Sequence, residues 1–125
     1  MEQLLLHLIG DYVTQTHWMA TEKTKRNWAA FVHAYVYALP FTLLATSAKA
    51  WIVIFGSHYL IDRYRLARYV VFAKNWCTDR SMKWAECSAT GYRPEVPAWL
   101  SVWLLIAADN VMHLTINYSA LRWLP

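Results

Sequence analysis

The stretch AWIVIFGSHYLIDRYRLARYVVFA, Ala50 to Ala73, decides the fold. It is apolar as far as Ile61 and then turns amphipathic through Asp62, Arg63, Arg65 and Arg68. Such a run reads as a helix that crosses an apolar layer and leaves it on a basic side. Within it, His58 and Asp62 are four residues apart, one helical turn, and so stack on one helix face.

Three further apolar segments flank this one, over residues 3–19, 28–46 and 97–121. Pro40 is expected to kink the second, and Pro97 suits the first turn of the fourth. The polar turn from Thr21 to Asn27 links the first two, with Asn27 a candidate N-cap, and Ser47-Ala48-Lys49 makes a tight connection before the third. A loop over residues 74–96 carries mixed charge and both cysteines, Cys77 and Cys87. The opening Met1-Glu2-Gln3 has no basic n-region and no small-residue cleavage site follows, so the first segment is expected to be retained.

Composition agrees. Apolar residues make up 58% of the 125, charged residues only 16%, and there are 8 Trp, which is unlike a soluble domain with about 25% charge. Trp18, Trp28, Trp51, Trp99 and Trp123 fall near segment ends, where interfacial aromatics belong. Lys23, Lys25 and Arg26 lie in the first loop, and Arg63, Arg65, Arg68, Lys74, Arg80, Lys83 and Arg93 in or leading into the third, against only Lys49 and Arg122 on the other side. The positive-inside rule then makes the first and third loops cytoplasmic and both termini external. The expected fold is all-α: one domain, an integral membrane four-helix bundle with a buried His/Asp site, multi-pass in its membrane. The net charge of +4 is taken up by this topology, so no nucleic-acid partner is expected. The cysteines would sit in a reducing compartment as free thiols.

The chemistry lies inside the segments. Three of the four Asp fall within them, and each has a His one turn away: His7–Asp11, His58–Asp62 and Asp109–His113. The first and third segments read His then Asp, and the fourth, running the other way, reads Asp then His. An antiparallel bundle therefore sets all three His at one depth and all three Asp about 6 Å deeper. His33, in the second segment, approaches from below, and Gln15 extends the His7–Asp11 face by one turn.

Three Asp near a bilayer midplane cost on the order of 9 kcal/mol, so something must compensate them. One or two divalent ions, Zn²⁺, Mn²⁺ or Fe²⁺, would do so, since imidazole and carboxylate are their ligands. His7, Asp11, His58, Asp62, Asp109 and His113 are the candidate ligands. Asp11, Asp62 and Asp109 are also candidate bases, with Gln15 orienting, and His33, Arg63 and Arg65 would serve substrate or outer contacts. The plainer readings are hydrogen-bonded His–Asp pairs that fix helix register, or a proton or ion path. Arg63, Arg65 and Arg68 either hold an anionic headgroup or mark topology, with Arg65 pairing Asp62. His17 reads as interfacial, and Tyr12, Tyr35, Tyr37 and Tyr59 read as packing groups. There is no Walker loop, GxSxG elbow, HExxH or nucleotide fingerprint, and Cys77 and Cys87 lack zinc-site spacing.

His7-Leu8-Ile9-Gly10-Asp11-Tyr12-Val13-Thr14-Gln15-Thr16, followed by Trp18-Met19-Ala20, resembles the opening motif of domain-of-unknown-function family 3307, small multi-span membrane proteins of bacteria and phages. His58-Tyr59-Leu60-Ile61-Asp62 is similar to that family's second motif. The family in turn looks like a distant relative of membrane-bound metal-dependent hydrolases. That resemblance implies His7, Asp11, His58 and Asp62 as ligands. The function expected is metal-dependent hydrolysis of a membrane-associated ester, amide or phosphoester, with the bilayer and a lipid-like substrate as partners. The alternatives are a proton- or cation-conducting protein, as a homo-oligomer, and a non-catalytic phage-type modulator of the host membrane or of a membrane partner.

Overall fold

The computed structural model describes residues 1–45 and 47–124 and is helical, with no strand among the described residues. The chain forms two compact units, Met1–Tyr64 with His113–Pro125, and Arg65–Met112.

In the first unit, helix α1 covers Glu2–Leu8 and passes into a π-helical turn over Ile9–Val13. Thr14 N–H reaches back five residues to the Ile9 carbonyl at 2.9 Å. The expected helix over residues 3–19 is therefore divided. Its physical reason is end-capping by polar side chains: Thr14 Oγ1 and Gln15 Nε2 donate to the carbonyls of Gly10 and Asp11, and Thr16 accepts from Met19 N–H to start α2, His17–Glu22. Helix α3 covers Asn27–Ala38. Asn27, the expected N-cap, is its first helical residue, and Arg26 holds the extended cap position. At Pro40 the chain tightens into a 3₁₀ turn, Leu39–Leu43, and the Ala38 carbonyl accepts from the Trp51 indole at 2.9 Å. The end of the expected second segment, Thr46, lies outside the described residues.

Helix α4 covers Ala48–Tyr64 and buries a stripe of one residue per turn: Ala50, Ile54, His58 and Asp62. It packs on α3, and Tyr37, Ala38, Phe41, Ala50, Ile54 and Ala120 form the apolar core. The expected helix over 50–73 is interrupted, because Arg65 takes a left-handed conformation with φ 52°. That conformation costs about 1–2 kcal/mol for a residue with a Cβ and cannot continue a helix.

The second unit contains α5, Ala67–Thr78, and α6, Trp84–Cys87, both within or overlapping the expected loop. Gly91, at φ +83°, lies so close to α5 that a Cβ there would come within 2.5 Å of the Arg68 carbonyl oxygen. Helix α7, Ala98–Trp123, matches the expected fourth segment and runs from this unit into the first. Among the described residues it is the one helix long and apolar enough to cross a membrane.

Candidate metal centre

Four buried side chains converge inside the first unit: Asp11, His33, His58 and Asp62. The π turn places Asp11. The middle of α3 places His33, between the buried pairs Ala29–Ala30 and Tyr37–Ala38 of the same face. One turn of α4 carries both His58 and Asp62.

Five of the six separations among the inner atoms fall between 3.0 and 3.3 Å. His33 Nε2 lies 3.3 Å from Asp11 Oδ1 and 3.0 Å from Asp62 Oδ2. His58 Nε2 lies 3.3 Å from each of the same two oxygens. The two Nε2 atoms are 3.0 Å apart. Ligands bound to one tetrahedral zinc ion at about 2.0–2.1 Å stand about 3.3–3.4 Å from one another. The four side chains could together hold a metal ion. Asp11 Oδ1 has the two imidazole Nε2 atoms as polar neighbours, each at 3.3 Å.

A second layer backs the group. His113 Nε2 contacts the outer oxygen of Asp62, Oδ1, at 3.2 Å. His7 Nδ1 is 3.5 Å from Asp11 Oδ2 and 2.8 Å from the Tyr37 hydroxyl. Asn117 donates to that hydroxyl at 2.6 Å, and the Tyr37 ring stacks on His58 with 3.6 Å between centroids. Such contacts hold ligands in register and tune their basicity. Lys23, the C-cap of α2, donates to Asp62 Oδ2 at 2.7 Å and lies 3.3 Å from His33 Nε2. It sets a fixed positive charge directly against two of the inner atoms.

Inside the first unit the structure thus brings together Asp11, His58 and Asp62 of the expected ligands, and sets His33 among them. His7 and His113 stand one layer out. The imidazoles of His7, His113 and His58 still form a row, with centroid separations of 5.7 and 4.2 Å. Asp109 is half-buried in the second unit, one turn before His113 on α7. Gln15 bonds the Asp11 carbonyl rather than its side chain. Arg63 binds Asn27 Oδ1 and the Thr24 carbonyl, each at 2.7 Å, and so fastens the turn before α3. Arg65 donates to the Ala89 carbonyl. The cation that pairs with Asp62 is Lys23 rather than Arg65.

Sequence reasoning missed Lys23, Tyr37 and Asn117 as members of the site. Asn117 left a readable signal, a polar side chain one turn beyond His113 in an apolar helix. Lys23 left none, since it stands among other charges in a polar turn.

Fold and site together define a small all-helical protein with a buried two-histidine, two-aspartate group able to hold a metal ion. The family model described as a protein of unknown function (DUF3307) matches residues 1–116, and the chain belongs to that family. No curated protein and no solved structure matches it.

Proposed function

We propose that the chain is an integral membrane protein of the bacterial inner membrane that binds a divalent metal at Asp11, His33, His58 and Asp62. There it would hydrolyse a membrane-associated ester, amide or phosphoester. The convergence of two imidazole nitrogens and two carboxylate oxygens, with each nitrogen 3.0–3.3 Å from both oxygens, carries the metal reading.

Burial supports the membrane placement. Four His, two Asp and an Asn are buried, while Leu5, Val13, Trp28, Leu43, Ile52, Trp99, Trp103 and Val111 are all more than half exposed. A chain folded for water would reverse this pattern; for one folded in lipid the outward apolar face is the solvated one. Helix α7, at about 1.5 Å per residue, is long enough for a core of about 30 Å.

A bound divalent ion would supply Lewis acidity and, where one coordination position stays open to water, lower the pKa of that water to about 7. The chain's own groups divide the remaining work. Asp62 is held at both oxygens, by Lys23 and His113, contacts that would orient it as a ligand rather than free it to take a proton. Lys23 offers its remaining donors to an anion developing on the substrate.

Purified protein in detergent should carry about one divalent ion per chain, lost in His58→Ala and kept in His17→Ala. With metal, it should hydrolyse p-nitrophenyl esters or bis-p-nitrophenyl phosphate in mixed micelles, and His58→Ala should not. A chain without bound metal, whose thermal unfolding ignores chelators, overturns the metal site. A metal-loaded chain inert on both probes overturns the hydrolase.

One observation favours a second reading. Asn117, Tyr37, His7, Asp11, His33 and His58, Asp62 and Lys23 form an unbroken polar line. Such a line suits a proton path. Proton flux into liposomes that needs Tyr37 and no metal would select it.

A further inference from the structure

We infer that α5 lies in the headgroup layer of an anionic membrane surface, with its outer face among the acyl chains. The inference rests on the membrane placement above and is independent of the metal.

Helix α5 has two unlike faces. Ala67 and Val71 are buried, and Asn75 donates to the Gly91 carbonyl at 3.0 Å, so that side is committed to its own unit. The opposite side presents Tyr69, Val70, Ala73, Trp76 and Cys77, all exposed. At 100° per residue these five fall within about a third of the helix circumference. An apolar stripe with Tyr and Trp on a 12-residue helix is too short to span a bilayer and suits its interface.

Charge selects the occupant. Between residues 65 and 96 there are six Lys or Arg against three Asp or Glu. Asp79 is already paired with Arg93, which leaves the acidic side with Glu86 and Glu95. Lys74, Arg80 and Lys83 are exposed, and the Arg80 guanidinium lies 3.7 Å over the Trp76 ring at the helix end. Lys74 approaches the Tyr92 ring at 5.5 Å. Cations laid along aromatic rings beside an apolar stripe match a layer of lipid phosphates above acyl chains.

Cys77 offers a direct probe, since it lies on the outer face and Cys87 is buried. The full chain carrying a nitroxide at Cys77 is reconstituted in vesicles of phosphatidylcholine, with or without about one-third phosphatidylglycerol. In anionic vesicles the label should favour collisions with oxygen over a water-soluble nickel complex by several-fold. The triple variant Lys74→Glu, Arg80→Glu, Lys83→Glu should return it to the water-exposed ratio, with unchanged circular dichroism in detergent. A label that stays water-exposed in a chain resisting alkaline carbonate extraction overturns the inference and leaves the membrane placement standing. Release by carbonate removes that placement, and the inference with it. Equal protection in neutral and anionic vesicles, or protection only at high chain density, also overturns it, the latter assigning the face to a second copy.

Discussion

His33 and His58 face each other through Nε2 atoms 3.0 Å apart, and each lies 3.3 Å from the same oxygen of Asp11. Two imidazoles in this position can share one hydrogen between them, and then neither has a second to give Asp11 from that nitrogen. A divalent cation satisfies both nitrogens and both carboxylates at once, which hydrogen bonds alone do less well in a site this dry.

The two layers around this point should separate by affinity. His33→Ala or His58→Ala removes an inner atom, and bound metal should fall from about one ion per chain to none. His7→Ala or His113→Ala removes only a group behind a carboxylate, so metal should still bind, about 10–100-fold more weakly. Titration of chelated protein with Zn²⁺ and Mn²⁺ measures both. Equal losses in all four variants would deny the layering.

Lys23 and a metal ion both neutralise Asp62, so each should mask the loss of the other. Lys23→Met leaves a carboxylate that is 5% exposed without its fixed cation. A fully buried pair broken this way costs about 3–5 kcal/mol, and the partly exposed lysine lowers the figure to about 2. Thermal unfolding in chelator should show that loss, and saturating metal should remove most of it. The same loss in both conditions would mean that no ion shares the site with Asp62.

The reach of the sequence can be judged residue by residue. His58 and Asp62 were legible because both sit on one regular helix, where a spacing of four means one face. The His7–Asp11 pair was legible as a pair, but the π turn beneath Asp11 was not, since no periodicity marks it. That turn shifts which atom leads: Asp11 enters the inner group and His7 falls behind it. His33 has no acidic partner one turn away, so pairing alone ranked it below the others, although α3 delivers it to the centre. The break at Arg65 was hidden for a different reason. A non-glycine residue at positive φ carries no compositional mark, and the amphipathic pattern of Arg63 to Ala73 continues across it.

The loop of the second unit should be acid-sensitive through one carboxyl. The Ser81 hydroxyl, and then the Arg93 guanidinium, bond Asp79 and hold its pKa at about 2, below its ordinary value of 3.8. A folded-state pKa below the unfolded one means a contribution present above pH 3.8 and lost as the pH falls toward 2. Fluorescence of Trp84 and Trp76 should report loosening of this loop across that window. Asp79→Asn should flatten the response and leave metal binding unchanged. A window that survives the substitution must belong to another group.

Two glycines predict opposite outcomes for one added methyl group. A Cβ on Gly10 would stand 2.5 Å from Cδ2 of Tyr37 and 3.1 Å from Cε2. The ring cannot easily yield: it is fully buried, stacked on His58, and bonded through its hydroxyl to Asn117 and His7. Gly10→Ala should therefore cost about 1–3 kcal/mol by overpacking. It should also weaken metal binding, because the displaced ring presses on His58. On α4, a Cβ at Gly56 meets nothing within 4 Å. Gly56→Ala should gain up to about 1 kcal/mol from helix propensity and leave the metal untouched. Unfolding midpoints and metal affinities of the two variants, measured in one detergent, give the comparison. If Gly10→Ala is as harmless as Gly56→Ala, the Tyr37 ring does not stand between the π turn and His58, and the second layer described for this site loses its keystone.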